Sequence, residues 1–429
     1  MSFALKENKA IGEKYYFTKH KSGLDVYVFP KDMGTSYAAF ATKFGSVDSV
    51  FTTDGRKVIL PDGVAHFLEH KMFENSDGRD TFELYAKTGA SANAYTSNNR
   101  TVYLFSAADN IYESLEILLG FVTDPYFTKE TIAKEQGIIG QEIKMYDDNP
   151  DWQLYFGMLE GMYVNNPVKL DIAGTVETIA EITPDTLFDA YNTFYNLDNM
   201  VLVISGKVTP EEVEKVCDRM LSYKQAPAIE RIYPDEPCGV KCEFVTRKMP
   251  VAMPMFSVGI KDNSCPITGK ALGKKRAAYG ILMDMMFSKS APFYTRLMDE
   301  GLIDSGFSFA YEGHETFGYA ELSGNSDEPR RVYEEIKKEI EHYRKNGLDK
   351  ESFERIKRAN YAHLLRMFNS TDDIANEQVS ALFDGLDILD YPEICASVTF
   401  EDVTKLLEDN FTDFTLSEVY PLEWEDEKI

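Results

Sequence analysis

Long apolar runs are missing from this 429-residue chain. No stretch of about 20 apolar residues occurs, which excludes a membrane-spanning helix. The opening residues, MSFALKENKAIGEKYYF, lack the apolar centre and the small-residue cleavage pattern of a secretory signal. Cysteine is scarce and odd in number. The five (Cys217, Cys238, Cys242, Cys265 and Cys395) are irregularly spaced, which argues against a disulfide framework and fits reduced thiols in a cytoplasm. Cys238 and Cys242 form the one close pair, with no second Cys or His pair to complete a zinc knuckle. Positive charge is also short: 45 Lys and Arg stand against 71 Asp and Glu, a formal net charge of -26. Such a surface repels phosphate backbones and anionic lipid alike, so neither nucleic acid nor a membrane is the expected partner. Histidine occurs only six times, so any pattern among the six carries weight.

What is present is ordinary globular material, 44% hydrophobic and 27% charged, and long enough for two domains or more. Residues 24–30, 37–46, 100–107 and 199–206 read as strands, the first two by alternation. Helical spacing marks 63–74, 110–123, 128–146 and 151–163. Thr183-Pro184 and Thr209-Pro210 read as helix starts, threonine capping and proline in the first turn. A proline-rich stretch over 225–240 reads as a linker between an N-terminal domain, 1–224, and a C-terminal domain, 241–429.

The two parts repeat. Phe73, Tyr95, Lys129 and Thr183 find counterparts in Phe287, Tyr311, Lys350 and Thr399, in the same order and at offsets between 214 and 221. The expected fold class is therefore α+β, built from two similar duplicated domains. Met283, Met285 and Met286 sit at core-type positions. The Lys- and Glu-rich helices at 331–345 and 349–366 present solvated faces.

The chemistry concentrates in His66-Phe67-Leu68-Glu69-His70. On a helix, residues four apart share a face one turn apart, so the two imidazoles converge on one cation. Glu69 lies beside that cation without being forced to bind it, which is where a general base belongs. The order is the inverse of the common H-E-x-x-H zinc helix. The surrounding Val64, Ala65, Phe67, Leu68, Met72 and Phe73 make the helix largely apolar, and burying His, Glu and His there without a metal would leave polar groups in need of partners. A catalytic zinc wants a third protein ligand and one open position. Residues 128–146 carry Glu135 and Glu142, seven apart and so on one helical face; by spacing alone either could bind, with the other supporting a histidine.

With these residues in view the sequence resembles the pitrilysin/insulinase family, which includes the mitochondrial processing peptidases. The resemblance rests on the HFLEH helix, on Glu135 and Glu142, on the segment Ser91-Ala92-Asn93-Ala94-Tyr95-Thr96, and on the two-copy layout over nearly the whole chain. It implies a zinc metalloendopeptidase in which His66, His70 and Glu142 hold Zn2+, Glu69 is the general base and Glu135 supports the site. It implies too that the strand containing Asn93 and Ala94 pairs with substrate backbone, a mode that gives loose sequence selectivity. The family's fold, two similar domains facing each other across a cavity, makes such a chain half of a clamshell.

One departure bears on partners. Active relatives usually carry in the second half an arginine followed by Gly-Leu-x-Tyr, and the pair assists the substrate carbonyl. Here Leu297 stands at the arginine position and Asp304 at the tyrosine position, with Arg296 one place off. Losing an oxyanion donor costs about a hundredfold to a thousandfold in rate. The expectation is therefore a zinc subunit that acts on peptides or processing intermediates with a homologous partner chain supplying the Arg and Tyr elements, or as a homodimer. The alternative is a non-catalytic structural subunit on the same scaffold, and the third is a zinc-dependent small-molecule hydrolase.

Overall fold

The computed structural model describes residues 3–76 and 78–424, so the outer ends of both expected domains lie outside the described residues. A seven-stranded sheet organises the first half. Its spatial order is Ala4–Asn8, Glu13–Lys19, Asp25–Pro30, Met200–Gly206, Ser36–Thr42, Thr101–Ala107 and Ser91–Thr96. Asp25–Pro30 and Met200–Gly206 run parallel, and the other neighbours antiparallel. Ser36–Thr42 and Met200–Gly206 are buried at every position, so the alternation expected of the first gives way to a strand covered on both faces. One face packs Val26, Phe40, Tyr103 and Leu202 under the helices Val64–Lys71, Ile111–Val122, Pro184–Phe194 and Pro210–Met220. The other packs Phe29, Ala39 and Val203 against Ile374 and Val379, which belong to the second half.

The second half repeats the frame. Its sheet runs Phe244–Met249, Phe414–Pro421, Met255–Lys261, Gly318–Asn325 and Ser308–Gly313, again with the first pair parallel and the rest antiparallel. That is the order of the five strands from Asp25–Pro30 to Ser91–Thr96 in the first sheet. The matching threonines Thr183 and Thr399 both close capping boxes at helix N-termini. Met283, Met285 and Met286 are core residues.

The halves trade one helix each. Pro150–Met162, from the first half, lies on the sheet of the second, and Thr371–Phe383, from the second, lies on the sheet of the first. Glycine makes the first contact close: a Cβ added at Gly161 would stand 2.2 Å from Thr415 Oγ1, and one added at Gly259, in the facing strand, 2.6 Å from Met158 Cγ. The stretch read as a linker is anchored. Ile229–Arg231 forms a strand on Val50–Thr53, and Glu236 accepts from the backbone N–H groups of Val164, Asn165 and Asn166. No helix among the described residues is long and apolar enough to cross a membrane.

Candidate metal centre

The histidine helix, Val64–Lys71, begins at Gly63, whose φ is +94° and where a Cβ would stand 2.5 Å from the Ala173 carbonyl oxygen. Glycine is thus required there for conformation and for space. Val64, Phe67 and Leu68 enter the core, which fixes the helix and turns His66, Glu69 and His70 to one side. The two imidazole centroids are 4.6 Å apart, with the rings inclined at 64°.

The glutamate helix, Lys129–Asp147, is started by a capping box between Thr128 and Thr131. It buries Ile132, Ile139 and Ile143 in the same core, and this brings Glu135 and Glu142 against the histidines. His66 Nε2 is 3.8 Å from Glu142 Oε1, and His70 Nε2 is 3.5 Å from Glu142 Oε2. His70 Nδ1 lies 3.1 Å from Glu135 Oε1. One donor atom each from His66, His70 and Glu142 falls within 4.8 Å of the others, the one such group of three among the described residues.

The donor set fits zinc. Tetrahedral coordination with bonds of about 2.0–2.1 Å separates neighbouring ligand atoms by roughly 3.4 Å. The distances of 3.5 and 3.8 Å are already near that spacing. Burial, with the His70 charge adding to it, pushes the His66 imidazole down to about 4, so this ring is neutral with a lone pair available at neutral pH. His66 Nδ1 is buried without a hydrogen-bond partner among the described residues. His70 is held differently. Burial opposes its charge, but the bond to Glu135 and the carboxylates of Glu142 and Glu69 outweigh it and raise its pKa. Burial also raises the pKa of Glu69, although the Thr96 hydroxyl donates to its Oε2 at 2.7 Å.

Thr96 ends the strand Ser91–Thr96, which pairs on one side with Thr101–Ala107 and forms the sheet edge among the described residues. The strand therefore joins the site at its Thr96 end. Asn93 is exposed, with Oδ1 accepting from the Ala94 N–H, and Ala94 is half-buried. The residues at the departing motif are engaged within the second half. Arg296 pairs with Glu335 at 2.6 Å, and Asp304 accepts from the Gly306 N–H and from Asn325. Tyr311 donates to Asp262 and stacks on Tyr279. The counterpart of the site in the second copy holds Asp284, which interacts with Asn360 and His363.

Two contacts at the site were not anticipated from the sequence: the Thr96 hydroxyl on Glu69, and the Tyr146 hydroxyl, which donates to Glu142 Oε1 at 2.6 Å. Tyr146 stands four residues after Glu142, the helical spacing at which side chains meet, and that was the available signal. A cavity of about 660 Å³ between the halves is lined by Arg100, Tyr155, Glu321 and Glu377. A larger cleft, about 930 Å³, lies around Asp189, Asn192 and Lys224 and includes none of the candidate residues.

Residues 61–176 match the family described as Insulinase (Peptidase family M16), and residues 181–360 match the Peptidase M16 inactive domain. The uncharacterized zinc protease YmfH of Bacillus subtilis is 42% identical over 410 residues, covering 94% of this chain and 95% of the relative. The crystal structure of an "M16-like peptidase" from Alicyclobacillus acidocaldarius superposes with a TM-score of 0.92 at 36% identity, over 98% of this chain and 99% of that one. The periplasmic protease PqqL from Escherichia coli shares the fold, with a TM-score of 0.73 at 15% identity; the match covers 95% of this chain but 48% of PqqL.

Proposed function

We propose that this chain, which belongs to the insulinase family (peptidase family M16), is a zinc-dependent endopeptidase acting on extended peptide, with His66, His70 and Glu142 as the zinc ligands. The observation that carries the reading is the convergence of these three donors, from two helices, beside a glutamate on the same helical turn as His70. Zinc, when bound, supplies a Lewis acid for the scissile carbonyl oxygen.

The protein's own groups do the rest. Glu69 takes the proton of the attacking water and returns it to the leaving amine; burial makes its carboxylate a stronger proton acceptor than an exposed one. Thr96 holds that carboxylate in place through its hydroxyl. Glu135 binds His70 Nδ1 and so leaves Nε2 to face the metal. The unpaired side of the strand Ser91–Thr96 receives substrate as an added strand, through main-chain groups at Asn93 and Ala94.

The finer reading concerns assembly. Arg296, Asp304 and Tyr311 are all engaged with partners within the second half, so these residues are not free to act as an Arg–Tyr pair. The chain also matches about half of PqqL. Both observations support a zinc subunit that works opposite a second two-domain chain, a homologue or another copy of itself, on peptides or processing intermediates.

Glu69→Gln tests the catalytic assignment. Zinc stoichiometry should stay at the wild-type value while hydrolysis of an unstructured fluorogenic peptide falls about 10²–10⁴-fold, the usual worth of a positioned base. Undiminished hydrolysis would refute it.

A further inference from the structure

The side chain of Glu142 has a support that reaches the other half of the molecule. Tyr146 donates to its Oε1 at 2.6 Å, while Oε2 faces His70 Nε2 at 3.5 Å. The Tyr146 ring stacks on Trp152, centroids 4.4 Å apart and planes 12° off parallel. Trp152 Nε1 donates to Asp171, which also accepts from the Ala173 N–H. The loop that follows Asp171 presses its Ala173 carbonyl against Gly63, at the start of the histidine helix. Trp152 itself occupies the first turn of Pro150–Met162, the helix that lies on the sheet of the second half. There it packs beside Phe156, within the cluster that includes Phe317 and Tyr319.

We propose that Tyr146 and Trp152 are positioning residues for the third zinc ligand, and that through them the packing of the second half sets the geometry of a site built wholly in the first. A carboxylate has four lone-pair directions and freely rotating torsions, so an unsupported Glu142 would sample orientations useless to a metal. The hydroxyl of Tyr146 takes one oxygen and leaves the other for the ion. The stack on Trp152 fixes where that hydroxyl stands. Partners of this kind are worth about 10–100-fold in metal affinity. The second half, which lacks its own histidine pair, thereby contributes to the site from a distance.

The inference rests on the zinc reading above, and the test separates the two. Zinc affinity of the full chain is measured by competition with a chromogenic chelator, and the melting temperature is measured separately on metal-free protein. Tyr146→Phe keeps the stack and removes the hydroxyl; it should weaken zinc about tenfold and leave the metal-free melting temperature unchanged. Trp152→Ala should weaken zinc by at least as much, and Trp152→Phe, which keeps an aromatic face, should recover most of the loss. A merely structural role would instead lower the metal-free melting temperature and leave zinc affinity alone. If wild type binds zinc and Tyr146→Phe binds it equally well, the brace is refuted and the zinc site stands. If wild type binds no zinc, both readings fall.

Discussion

Replacing Glu135 with glutamine changes one charge at a buried contact and little else. Glu135 is 9% exposed and accepts from His70 at 3.1 Å, and the amide oxygen of glutamine can accept in its place. A hydrogen bond to a charged partner is worth about 1.5–3 kcal/mol and a neutral one about 0.5–1.5 kcal/mol, so the change removes roughly 1.2 kcal/mol of support from His70. That is about tenfold in the zinc Kd. A second effect runs the other way. The Glu135 bond and the neighbouring carboxylates raise the pKa of metal-free His70 despite its burial, and a protonated imidazole must lose its proton before it can ligate. Glutamine lowers that pKa, so in acid the variant meets less proton competition than wild type. The gap in zinc affinity should therefore be about tenfold above the raised pKa, where both rings are neutral, and should narrow as the pH falls. Chelator competition across a pH series measures it. Equal affinities in alkaline solution, or a gap that widens in acid, would refute the reasoning.

Two further outcomes follow from the exchanged helices. Gly161→Ala gains about 1 kcal/mol of helix propensity and meets Thr415 Oγ1 at 2.2 Å, a hydroxyl already donating to the Cys242 carbonyl. Overpacking of that kind costs about 1–3 kcal/mol, and so tight a contact belongs at the upper end. Urea unfolding of metal-free protein should show a net loss of about 2 kcal/mol, and a gain in stability would contradict the packing. Residues 1–224 produced alone should bind a hydrophobic dye and melt without cooperativity, because Ile374 and Val379 no longer cover Ala39 and Val203; co-production with 225–429 should restore a cooperative transition, and a sharply melting fragment would oppose this.

The duplication was legible in the sequence because capping threonines and edge strands recur at a steady offset, and the structure puts Thr183 with Thr399 and Ser91–Thr96 with Ser308–Gly313 at equivalent places. The histidine pair was legible because one helical turn dictates its geometry without reference to the rest of the fold. The exchange of Pro150–Met162 and Thr371–Phe383 was not legible. Apolar spacing says that a helix is buried, but not which sheet receives it, and both sheets offer the same kind of face. The strand Ser36–Thr42 looked half-buried for the same reason, since the helix that covers its second face comes from the distant half. The Thr96 contact depends on how a strand end meets the histidine helix, and the Tyr146 contact is one of several that helical spacing allows. Spacing permits such contacts at many positions and selects none of them.

The most direct test is an anomalous difference map, collected at the zinc absorption edge from a crystal of the full chain grown with zinc. One strong peak should lie about 2.0–2.2 Å from His66 Nε2, His70 Nε2 and a Glu142 carboxylate oxygen. A zinc peak held by other side chains, with these three left unliganded, would contradict the account.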